Sequence, residues 1–176
     1  MKKRNLIIIG SILGILIIVV AVFAVLNAGN IGEKKELEAD KTIIIKSADN
    51  EIGKADMDFI ISAGQKEFTA IMDTSKTGPK EHSFTGVLLK DVLEKMGINI
   101  DDYTMFTVKA IDGYTVAFEN GEVEDDDNIY IAYKMDGKEL GTKASGGKGP
   151  YQVIVRKDQF SQRWCKFVVE INLAKQ

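Results

Sequence analysis

From Leu6 to Leu26 the chain is apolar and uncharged, interrupted only by Gly10, Ser11 and Gly14. About 21 residues at 1.5 Å each make a helix of roughly 30 Å, the thickness of a bilayer's hydrocarbon core. Lys2, Lys3 and Arg4 precede the run. The positive-inside rule then predicts a cytoplasmic N-terminus over residues 1–5, an uncleaved signal-anchor helix over 6–26, and everything after Asn27 outside. A cleaved signal peptide is the rival reading. Its apolar core would span roughly 7–15 residues and end in a small-x-small site, whereas Leu26-Asn27-Ala28 places Leu where a small residue belongs. Residues 27–40, rich in Gly, Glu and Lys without an apolar period, read as a linker.

Beyond residue 41 the apolar period shortens to that of strands. Thr42-Ile43-Ile44-Ile45 is a β-branched run, and Asp58–Ser62 and Glu67–Met72 read as a hairpin about Gly64. Asp73 to Ser83 contains no apolar residue and reads as a loop long enough to carry function. Leu88, Leu89, Val92, Leu93 and Met96 then fall on one helical stripe, stopped by Gly97. Met105–Ala110 and Tyr114–Phe118 are strands joined around Asp112-Gly113. Ile129–Met135 is a further strand before an Asp136-Gly137 turn, and Lys143–Gly149 is a Gly-rich loop. Val153-Ile154-Val155 and Phe167–Ile171 complete the strands. The expected fold is α+β, with a β-rich mixed or antiparallel sheet and few helices, in one domain over 41–176.

Setting aside Lys2, Lys3 and Arg4 leaves the 26 acidic residues in clear excess over the remaining Lys and Arg. That balance argues against nucleic acid as a partner. The single Cys165 cannot form an internal disulfide, so the domain must stand on its hydrophobic core. One His and one Cys predict no metal site built from protein ligands.

Several pieces, in order, resemble the oxidoreductase molybdopterin-binding domain of sulfite-oxidase-type enzymes. Phe84-Thr85-Gly86-Val87-Leu88-Leu89-Lys90-Asp91-Val92-Leu93 is similar to the family's aromatic-x-Gly-Val-x-Leu-x-Asp-Leu-Leu segment. Ala110-Ile111-Asp112-Gly113-Tyr114 and Ile131–Leu140 resemble its Ala-x-Asp-Gly-Tyr and Leu-Ala-Tyr-x-Met-Asn-Gly-x-x-Leu stretches. Gly149-Pro150 and Lys166-Phe167 with Ile171 resemble its Gly-Pro corner and its ending. The resemblance covers roughly Ile60 to Leu173 and implies the fold and molybdopterin as cofactor.

The departures bear on function. The family's molybdenum-binding cysteine lies in the loop before the aromatic-x-Gly-Val segment. Here that loop, Ile71–Pro79, has no thiol, and a soft thiolate ligand is missing. The family's Arg after the Gly-Pro corner is replaced by Gln152. The candidate cofactor-binding set is Lys148, Arg156, Arg163 and Lys166. Arginines offer paired donors and lysines point charges to a phosphate or carboxylate, and Trp164 could stack on a planar ring. Against this stands a solvated loop with Trp164 in the core.

Other features have plainer readings. Cys165 beside Lys166 is either an activated thiol or a small buried hydrophobe, and the second is preferred. Gly146-Gly147-Lys148-Gly149 lacks the features of a P-loop and reads as a flexible connection rather than a phosphate cradle. His82, without a partner, reads as a surface-loop residue. Tyr114 and Tyr133 could line a pocket, though strand tyrosines more often pack. Glu122–Asn128 lacks calcium-loop spacing and reads as a solvated acidic turn.

The function expected is a membrane-anchored extracytoplasmic ligand-binding or redox-accessory module with a redox partner at the cell surface. Its ligand would contact Asp73–Ser83, Lys143–Gly149 and Asp158–Lys166. The alternatives are an active molybdopterin-dependent oxidoreductase and a structural partner-binding module of a surface complex.

Overall fold

The computed structural model describes residues 3–48, 50–74 and 77–175, in two units, residues 1–36 and 37–176. The first unit is the helix α1, Lys3–Ala39. Its apolar side chains are exposed around the whole circumference, Phe23 at 67% and Val25 at 73% among them. Among the described residues one helix is long and apolar enough to cross a membrane, with Ile8–Val25 as its span. At 1.5 Å per residue α1 is about 55 Å long. The stretch expected as a linker over 27–40 is helical to Ala39. Its Glu, Lys and Leu residues favour helix locally. Met1 and Lys2, within the predicted cytoplasmic N-terminus, and Ser75 and Lys76, within the predicted 73–83 loop, lie outside the described residues.

The second unit holds two sheets. In the first, β1 (Ile43–Ser47), β2 (Asn50–Ala55), β5 (Tyr103–Ala110), β6 (Thr115–Glu119) and β11 (Val168–Lys175) lie in the order β2-β1-β11-β5-β6. Only β1 and β11 run parallel. In the second, β3 (Lys66–Thr74), β4 (Thr77–Leu88), β7 (Ile129–Met135), β9 (Gln152–Val155) and β10 (Cys165–Lys166) lie in the order β10-β9-β7-β4-β3. The two-residue β8 (Lys138–Glu139) pairs with β7. The short helices are α2 (Met57–Ser62), α3 (Leu89–Lys95) and α4 (Asn120–Glu124). The α+β, β-rich mixed architecture is as the sequence predicts.

Alternation along β5 buries Phe106 and Val108, which pair across to Phe118 and Val116 on β6. β7 and β9 lie inside their sheet and are buried nearly throughout, so they read as continuous apolar runs. Gly86 is where β4 bends against β7. A Cβ there would meet the Ile131 carbonyl at 2.6 Å and Ala132 Cα at 2.9 Å, so only glycine permits this close approach.

Two expectations are corrected, and one strand was not foreseen. Asp58–Ser62 belongs to a helix, α2, not a strand: Asp56 caps it by accepting from the Phe59 N–H at 2.8 Å, and Ile60 is its buried anchor. Six residues are too few for a helical period to show. The 73–83 stretch is mostly strand, because β3 and β4 continue as a hairpin pairing Met72 with Lys80 and Thr74 with Thr77. A ladder running into solvent needs no apolar residues. The polar edge strand β2, invisible to a search for apolar alternation, pairs with β1.

Candidate functional site

The last strands and the turn Asp112-Gly113-Tyr114 enclose an open cavity of roughly 740 Å³. Lys166, Trp164, Tyr114 and Gln162 are in its wall. Gln162 also borders a second cavity of roughly 490 Å³ with Asp73, Thr74 and Phe160. The walls are cross-linked. Tyr114 donates its hydroxyl to the Gln162 carbonyl at 2.6 Å, and Ser161 Oγ donates to the Asp73 carbonyl. Asp112 accepts the Tyr114 N–H at 3.1 Å and Lys143 Nζ at 3.3 Å. Burial alone would raise the Asp112 carboxyl, but these hydrogen bonds hold it below its ordinary value.

The four candidate cations part company here. Lys166 is exposed on the cavity wall and has no carboxylate partner among the described residues. In register opposite it on β9 is Gln152, whose buried Oε1 has no hydrogen-bond partner among the described residues. Lys148 is half-buried, its Nζ 3.5 Å from both the Met72 and the Met135 sulfurs. Burial, followed by the nearby charge of Lys166, lowers its pKa. It lines a different cavity, of roughly 460 Å³, with Met135, Asp136 and Gly147.

Arg163 is instead held by its own protein. It donates from Nε and Nη2 to Asp158 at 2.8 and 2.5 Å and from Nη1 to Glu122 at 2.8 Å, over the Phe118 ring. The hydrogen bonds to Asp158 lead in raising its pKa. Arg156 donates from Nε to the Thr69 carbonyl at 3.0 Å and pairs with Asp127. It thereby caps the otherwise free edge of β3.

The acidic segment read as a solvated turn is thus a partnered one. Glu122, Asp125, Asp126 and Asp127 each meet a cation, respectively Arg163, Lys157, Lys90 and Arg156. Glu122 also closes a capping box on α4 by accepting the Glu119 N–H.

Cys165 is buried against β9, and burial pushes its thiol up to about 12, so an activated thiolate is not what Lys166 makes of it. Trp164 is buried too, donating its indole N–H to the Val155 carbonyl at 3.1 Å and standing edge-on to Phe84.

The Gly-rich loop folds on itself: the amides of Gly147, Lys148 and Gly149 donate to Thr142, Leu140 and Gly141. They do not point outward to a phosphate. A Cβ on Gly147 would lie 2.2 Å from the Leu140 carbonyl.

His82 is not a surface-loop residue. It is buried on β4 with Nδ1 2.7 Å from Asp136 Oδ2, and this contact leads in lowering the Asp136 carboxyl. Tyr133 is packed, its hydroxyl donating to Gln65, whereas Tyr114 lines the cavity. Sequence reasoning placed Gln162 within a ligand-contacting stretch but missed Met72 and Met135, for which no local pattern exists. Asp112 was visible only inside a motif and a turn, whereas Tyr114 was named as a possible pocket residue.

Residues 40–176 match the family described as oxidoreductase molybdopterin binding domain. No curated protein matches the chain. Among solved structures, the sulfane dehydrogenase SoxCD from Paracoccus pantotrophus superposes with a TM-score of 0.63 at 14% identity. The match covers 78% of this chain and 39% of that one, so this chain spans well under half of that protein. At that identity the likeness concerns the fold.

Proposed function

The chain belongs to the oxidoreductase molybdopterin-binding domain family, and from that premise we propose that it is a membrane-anchored, extracytoplasmic redox-accessory module that holds an anionic, planar ligand of the molybdopterin class through Lys166. The observation that carries this reading is Lys166, a cation on an open cavity wall with no carboxylate partner among the described residues. Tyr114 supplies an aromatic ring on the same cavity wall. These residues fit the phosphate and ring of a pterin.

They do not fit a thiolate-bound molybdenum, because the single thiol is buried within a sheet and kept protonated. The anchor is α1, with Lys2, Lys3 and Arg4 on the cytoplasmic side. A redox protein at the outer surface is the partner this placement calls for.

The test is expression of the full chain in a host that makes the cofactor, purification in detergent, and assay of molybdenum and pterin. Bound pterin that Lys166→Gln removes is expected. Absence of pterin would overturn the cofactor assignment. Stoichiometric molybdenum with turnover of an electron donor would overturn the accessory role in favour of an active oxidoreductase.

A further inference from the structure

We propose that Lys148 is a covalent site whose amine forms an imine with a small aldehyde entering the cavity formed by the β7–β8 turn and the Gly-rich loop. Three observations converge on it. The ammonium is half-buried with two thioethers as its hydrogen-bond partners, Met72 and Met135, each at 3.5 Å. Thioether sulfur is a weak acceptor and leaves the charge poorly compensated. A second cation, Lys166, is near enough to repel it. Finally, Lys148 borders a cavity of roughly 460 Å³, so the nitrogen is reachable. Desolvation beside another cation is how a lysine becomes a nucleophile at neutral pH, and the direction of its pKa agrees.

The cluster is drawn together by the fold alone. Met72 and His82 lie on one face of the β3–β4 ladder, Met135 pairs with Phe84 across β4 and β7, and Lys148 arrives from the loop. Asp136, hydrogen-bonded to His82, adds a carboxylate to the same cavity wall, and its charge only partly offsets the burial and the Lys166 charge that act on Lys148.

In the reaction the ammonium first gives up its proton. The nitrogen lone pair then adds to the carbonyl carbon, the two hydrogens left on nitrogen pass by way of water to the oxygen, and that oxygen leaves as water. A C=N bond to Nζ remains, and no oxidant or reductant is consumed. Lys138 is an internal control, being exposed and bordering the same cavity.

Full-length protein in detergent, treated near pH 7 with limiting propanal and borohydride, would be peptide-mapped for propylated lysines. Lys148 is expected to be labelled several-fold more than Lys138, because a half-buried ammonium met only by thioethers gives up its proton more readily. Exposure biases the comparison the other way. Equal or greater labelling of Lys138 would overturn the proposal. Met135→Glu, or Met72→Glu if the first fails to fold, gives the ammonium a carboxylate. It should bring Lys148 labelling down to the Lys138 level, and unchanged Lys148 labelling would equally overturn it. Loss of pterin in Lys166→Gln protein bears on the other cavity, so the two proposals fail separately.

Discussion

Lys148, Arg156, Arg163 and Lys166 share one C-terminal stretch, and all four cations look alike on paper. In the folded chain the arginines face α4 and its acidic continuation, while the lysines face cavities. Each arginine is anchored to a fixed carboxylate and to something further: a strand edge for Arg156, a second carboxylate and an aromatic ring for Arg163. Planar, multidentate guanidinium suits that use, and a flexible ammonium suits a ligand that comes and goes. The lesson is that cations near a cleft divide by what the far end of the chain brings them, and an acidic run that looks like surface decoration can be the decisive partner.

The sharpest way to break this comparison is Arg163→Ala. It strands Asp158 and Glu122, so unfolding should become easier by about 2 kcal/mol, already discounted for the solvent that reaches the half-exposed guanidinium. The denaturant midpoint would show it, and an unchanged midpoint with lost pterin binding would return Arg163 to the ligand set. Lys166→Gln should do the reverse. Stability should stay within about 0.5 kcal/mol while ligand affinity falls about tenfold, read by titration of the purified protein.

A smaller effect is expected from a double-mutant cycle between Glu122→Gln and Arg163→Gln, with a coupling of about 0.5–1 kcal/mol. The smallest concerns Lys148→Met. The lysine's pKa is lowered on folding, so the native state binds fewer protons than the unfolded chain, and stability from this group rises with pH. The variant should therefore be more stable than the parent at neutral pH, by less than about 1 kcal/mol, with the gap closing as pH climbs toward about 10.4. Cys165 provides the opposite slope. Its thiol is raised to about 12, so its contribution is intact below about pH 9 and lost as pH rises through about 12. Native protein should resist alkylation at pH 8 and react at once when unfolded.

The elements legible beforehand were those with an internal period or punctuation: α1's apolar span, α3 with its stripe and Gly97, β5 and β6 about Asp112-Gly113, and β7. The elements that escaped lack such signals. β2 is polar because it is an edge, and α2 is short. The outer half of the β3–β4 hairpin is held by backbone hydrogen bonds that place no demand on side-chain type. His82 escaped because its partner, Asp136, lies on another strand's turn.

The site was legible as a composition of cations but not as a geometry. Cys165 falls on an apolar strand position, and its burial follows from that, as sequence alone suggested. The sequence by itself determined the membrane-length apolar segment, the β-rich class, the family and the lack of a thiol in the 71–79 loop, because each is a property of neighbouring residues or of their order. Which cations remain free for a ligand was decided only by the tertiary structure. A charge's availability depends on how near the opposite charge is brought, and residues 122–127 reach residues 156–163 only through the packing of α4, β7 and β9.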